Sequence, residues 1–131
     1  MTWQHLLQQV RDAGHYTTDQ QAERVLATLL AALGPQLTGD ERRDLQAALP
    51  DRARALFSSQ TPLPRPVPAP ALVDTVATTL NTTTLHARWD VTSVLSALTH
   101  LTGEKLTSRI LTQLPRGYAL LYGRADLTTA A

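Results

Sequence analysis

Four histidines, His5, His15, His86 and His100, are the side chains in this sequence best suited by type to move a proton or hold a metal. His86 and Asp90 stand at i and i+4. On a helix that spacing puts both on one face and offers two ligands to a divalent cation. A complete site needs further donors, and no HExxH or ExxH pattern supplies them. The pair is therefore expected to face solvent and to add a small electrostatic gain along its helix. His15 falls in a loop and His100 near a helix end, where an imidazole can meet terminal carbonyls.

Nucleophilic and phosphate chemistry have even less to work with. The chain has no cysteine, which excludes thiolate catalysis, disulfides and cysteine-ligated zinc. Its six glycines are scattered at helix ends and turns rather than gathered in a phosphate loop. Ser93 and Ser96 fall inside a helix with no nucleophile elbow around them. No catalytic residue, cofactor or metal is assigned, and the chain is expected not to be an enzyme.

Charged and aromatic side chains leave one candidate surface. Arg42, Arg43, Arg52 and Arg54 flank Pro50 and could form a basic patch. Asp40, Asp44 and Asp51 are interleaved with them, so the local field largely cancels. Asp40, Glu41 and Asp44 are read as residues that complement a helix dipole. Twelve basic and eleven acidic residues give a net charge of +1, which argues against nucleic acid and against an anionic membrane. Of the two tryptophans, Trp3 opens an apolar helix face and belongs at the core. Trp89 lies beside the main apolar stripe of its helix. Burial is its expected state, whereas an exposed Trp89 would anchor a protein partner. Trp89, Arg42, Arg43, Arg52 and Arg54 are thus the candidate partner surface.

Helices must position all of these groups. With 131 residues, 43% hydrophobic and 18% charged, the chain has the composition of a globular domain. In "WQHLLQQVRDAG", Trp3, Leu6, Leu7 and Val10 recur at i, i+3, i+4, i+7, with Thr2 to cap the start and Gly14 to suit the end. A second helix opens on the capping box Thr18–Gln21, carries Leu26, Leu29, Leu30 and Leu33, and stops at Gly34 and Pro35, with the glycine expected in the left-handed conformation. A third opens on a second box, Thr38–Glu41, and ends at Pro50, which starts a short fourth with Ala53, Leu56 and Phe57 inward. The alternating prolines of "TPLPRPVPAP" favour an extended linker. Four more helices follow: "ALVDTVATTL", "TLHARWDVTSVLSALTHL" capped by Thr83 or Thr84, "GEKLTSRILTQL" and "PRGYALLY".

The later helices repeat the earlier ones. At an offset of 65, Leu26 falls on Val91, Leu30 on Leu95, Leu33 on Leu98, Leu45 on Ile110, Leu49 on Leu114 and Pro50 on Pro115. The first helix fits at an offset of 66, with Leu6 on Leu72 and Val10 on Val76. The fold is therefore expected to be all-α, about eight helices in two pseudo-repeated four-helix halves packed into one bundle-like unit. The halves are placed at 1–57 and 71–122, the proline-rich linker at 58–70 and a C-terminal tail at 123–131.

"TTDQQAERVLATLLAALGPQLTGDERRDLQAALPDRARALF" and, more loosely, "TTTLHARWDVTSVLSALTHLTGEKLTSRILTQLPRGYALLY" resemble the bacterial domain-of-unknown-function family numbered 2267, which has tandem helical repeats each ending in a leucine–proline break. The resemblance implies a fold and no catalytic residues. The second stretch departs from the pattern in being Thr-rich and poorer in charge.

No basic n-region precedes the first helix and no apolar run is long enough to span a membrane. The expectation is a cytoplasmic protein-interaction or scaffold module with an unknown protein partner or a second copy of itself. A weak nucleic-acid role for the arginines near the Leu-Pro breaks is the alternative. A small enzyme or ligand binder using a pocket between the halves comes third.

Overall fold

Three threonines open three of the helices by the same device. Thr2 accepts from the His5 amide at 3.2 Å, Thr18 from that of Gln21 at 3.1 Å and Thr83 from that of His86 at 3.1 Å. Each supplies an acceptor to an amide that has no partner within its own helix. The structure, a computed structural model, describes residues 2–123; the tail expected from 123 on lies, apart from Gly123, outside the described residues. Among these residues every regular element is helical. In order they are α1 (Trp3–Gly14), α2 (Asp19–Leu33), α3 (Gly39–Ala48), α4 (Asp51–Ser58), α5 (Ala69–Leu80), α6 (Thr84–Thr102), α7 (Glu104–Gln113) and α8 (Tyr118–Leu121), with a 3-10 turn at Gly34–Gln36. No helix among the described residues is long and apolar enough to cross a membrane.

The apolar stripes fix the packing. α1 lies against α6 and α2, α5 lies against α6 and α2, and α2 crosses α6. Leu6, Leu26, Leu30, Leu72, Val91, Val94 and Leu95 are buried where these four helices meet. Full burial of one such side chain is worth about 1.5–3 kcal/mol, so this layer contributes strongly to the fold's stability. α3 packs on α7, α4 on α2 and α8 on α6.

Leu49 and Leu114, each followed by a proline, have extended backbones with ψ near 145° and 150°. The proline ring bars the helical conformation from the residue before it. The chain turns at both places and then brings Phe57 and Tyr118, respectively, fully into the core.

Three local expectations are corrected. Thr38 makes no side-chain cap. Instead Gln113 of α7 brackets it, accepting from the Thr38 amide at 3.2 Å and donating to the Thr38 carbonyl at 2.9 Å, while Glu41 is drawn to Arg109 and Gln113. Gly34 is right-handed, with φ −49°. Its smallness serves space instead, because a Cβ there would stand 2.4 Å from the Phe57 carbonyl oxygen. The link between α4 and α5 runs from 59 to 68, since Ser58 still belongs to α4 and Pro70 to the first turn of α5. It is strapped down: the Leu63 amide donates to the Pro35 carbonyl at 2.9 Å, the Val67 amide to Gln36 at 2.7 Å, and the Tyr118 hydroxyl to the Val67 carbonyl at 2.8 Å.

Candidate functional site

The turn between α1 and α2 builds the most chemically distinctive place in the molecule. α1 ends with His15 in the left-handed conformation, φ 55°, and the Tyr16 amide closing back on the Arg11 carbonyl at 3.0 Å. Tyr16 then folds over Gly14. A Cβ on Gly14 would lie 2.1 Å from the tyrosine ring, so only glycine admits this path. The ring is thereby aimed at α6, where its hydroxyl donates to Asp90 Oδ1 at 2.5 Å.

Asp90 is 2% exposed. The expectation that it faces solvent with His86 is overturned, and helical phase explains why. Asp90 lies one turn from Ala87 and Val94, on the stripe that α6 buries. His86 remains largely exposed, with its Nε2 3.6 Å from Asp90 Oδ1. Burial pushes the Asp90 carboxyl above its ordinary range, while the Tyr16 hydroxyl and His86 pull the other way. Burial first, and then the bond to Asp90, hold the Tyr16 phenol far above its usual value. The phenolic proton therefore stays on Tyr16, which acts as a fixed donor. Tyr16, Gln21, Arg24, Asn81, His86 and Asp90 surround a polar pocket of about 190 Å³ between the α1–α2 and α5–α6 turns.

Trp89 departs from its expected burial. It is 47% exposed, its indole N–H donates to the Gly14 carbonyl at 3.0 Å, and its ring stacks on His15 with centroids 6.2 Å apart. It latches the α1–α2 turn onto α6.

The candidate arginines are each engaged with neighbouring groups. Arg42 donates to the carbonyls of Gly34, Leu37 and Gln60 and lies over the Phe57 ring. Arg43 pairs with Asp40. Arg52 pairs with Glu23 at 2.8 Å and covers Trp3. Arg54 donates to the carbonyls of Gln46 and Leu49 and pairs with Asp51. Arg109 bridges Glu41 and Asp44, and its bond to Glu41 is the main reason that carboxyl lies below its ordinary range. Each of these cations already serves a helix end or an ion pair.

A different surface is apolar and open. A groove of about 520 Å³ runs between α5, α6 and α8, floored by Ala69, Val73 and Leu121. Leu85, 81% exposed, and Leu120, 52% exposed, stand along it. Asp74 and Arg88 also line it, and neither forms an ion pair among the described residues. Sequence reasoning passed over this groove because Leu85 reads as an ordinary first-turn residue and Leu120 as part of an apolar run. Tyr16 and Arg24 were passed over as well; the signal available was Asp90, an acid in phase with an apolar stripe and so in need of a donor. Among the described residues no three His, Cys, Asp or Glu side chains gather into a metal site.

A family model described as an uncharacterized conserved protein, DUF2267, matches residues 3–121, and the chain belongs to that family. No curated protein matches the chain.

Proposed function

We propose that this DUF2267 member is a non-enzymatic protein-interaction module, a small scaffold that docks through the α5–α6–α8 groove, and that the groove's occupant is a second copy of the chain. One observation carries this: two leucines stand out in water beside an apolar groove that is also lined by one acid and one base, neither of which forms an ion pair among the described residues. Such a surface complements itself. A two-fold axis would set Leu85 of each copy into the other's groove and bring Asp74 of one opposite Arg88 of the other. The arginines near Pro50 are engaged in ion pairs and helix-end carbonyls, which makes protein docking a stronger reading than nucleic-acid association.

We also infer that the chain is a duplicated unit. α7 begins and ends 65 positions after α3, and α5 begins and ends 66 positions after α1. The α1 and α5 ends close with the same bonds, Tyr16 amide to Arg11 carbonyl and Thr82 amide to Ala77 carbonyl, both at 3.0 Å. The pairing of α1 with α6 and of α5 with α2 suits an internal two-fold, with α2 and α6 at its centre.

Sedimentation equilibrium tests the docking. Wild type should approach a dimer at micromolar to millimolar concentration and Leu85→Asp should stay monomeric. A wild type that remains monomeric at millimolar concentration, or a Leu85→Asp variant that dimerises equally well, overturns the proposal.

A further inference from the structure

We infer that the pocket between Tyr16, Arg24 and Asp90 is a binding site for a small zwitterion of the α-amino acid class. The case rests on three complementary facts. First, Asp90 is a buried carboxylate with acceptor capacity to spare. Tyr16 and His86 both meet Oδ1, whereas an ionised carboxylate has two oxygens with about four acceptor positions. A primary ammonium, with three donors on a point charge, suits that remainder. Second, Arg24 lines the same pocket from α2, and no ion pair or hydrogen bond occupies its guanidinium among the described residues. Its fork matches a carboxylate. Third, the pocket's volume of about 190 Å³ is room for a small ligand and not only for a single water.

The two charges select the ligand together. A simple cation would be drawn to Asp90 but repelled by Arg24, and a simple anion the reverse. A molecule without an ammonium would leave the second oxygen of Asp90 without a charged donor. A molecule with an ammonium and a carboxylate on one carbon presents both charges together, while Gln21 and Asn81 also line the pocket and offer amide groups. Tyr16 holds the Asp90 carboxylate still, so no reorganisation is needed when the ligand enters. This site is on a different face from the α5–α6–α8 groove and does not depend on dimerisation.

The test is an amide-shift titration of the full chain with glycine, L-alanine and L-serine, alongside L-alaninamide and N-acetyl-L-alanine, which each lack one charge. At least one of the three amino acids should give saturable shifts at Tyr16, Asn81 and His86, with affinity at least tenfold above both singly charged analogues. Arg24→Gln, an exposed substitution that leaves the core intact, should weaken binding at least tenfold and abolish the preference for the amino acid over its amide. Asp90→Asn should do the same for the preference over the N-acetyl compound. Absence of saturable shifts with all three amino acids, equal response to the analogues, or unchanged affinity in Arg24→Gln overturns the inference.

Discussion

Gly14 has no side chain, and the turn around it depends on that. An alanine there would gain up to about 1 kcal/mol of helix propensity. It would also drive a methyl group into the Tyr16 ring, an overpacking cost of about 1–3 kcal/mol, and displace the hydroxyl from Asp90, a bond to a charged acceptor worth about 1.5–3 kcal/mol. The losses outweigh the gain, so Gly14→Ala should lower the midpoint of denaturant unfolding; an unchanged or higher midpoint would contradict the packing described. Tyrosine burial gives a second expectation. Burial pushes the Tyr118 phenol up to about 12 and Tyr16 higher still, against an ordinary value near 10. The folded state thus holds these protons when the unfolded state has released them. Their contribution is fully present below pH 10; the Tyr118 share is lost as pH rises from about 10 to about 12, and the Tyr16 share goes on falling above that. Unfolding free energy measured across that window should fall steeply, and Tyr118→Phe should flatten the slope. Little of this chemistry was legible in the sequence. His86 and Asp90 were visible as an i, i+4 pair, but their shared helix face says nothing of Tyr16, which reaches Asp90 across 74 positions.

Helices were the legible level. Leucine spacing, threonine caps and prolines after leucine locate all eight, because a 3.6-residue period and a missing amide are properties of the local chain. What failed was any device that a distant segment could take over. Thr38 and Glu41 have the spacing of a capping box, yet Gln113 supplies the bonds to Thr38 and Arg109 takes Glu41. Substitution separates the two accounts. Gln113→Ala should cost about 1 kcal/mol and loosen the α3 start, whereas Thr38→Ala should change stability by a few tenths. Amide hydrogen exchange at Thr38 reports the difference directly, since its N–H loses an acceptor only in the first variant. Trp89 follows the same rule. Its phase beside the stripe was visible, but its latch onto the Gly14 carbonyl depends on how α1 lies against α6.

At the scale of the whole molecule, the proposed duplication accounts for the core and leaves the surface to differ. The two proposed halves bury similar stripes but differ outside them. The first commits Arg11, Arg42, Arg43, Arg52 and Arg54 to helix ends and ion pairs, whereas the second leaves Leu85, Arg88 and Leu120 around an open groove. On the proposed reading, docking belongs to the second half, and the Tyr16–Asp90 pocket is lined from both. Self-association through the groove is the central claim, and its signature is charge pairing across a two-fold axis. Asp74→Arg alone would oppose Arg88 of the other copy, and Arg88→Asp alone would oppose Asp74, so each should weaken dimerisation. The most direct measurement is the dimer dissociation constant of the swapped double variant, Asp74→Arg with Arg88→Asp, obtained by sedimentation equilibrium at low salt. Recovery to near the wild-type value is the predicted result; a double variant at least as weak as the two losses added together would contradict the account.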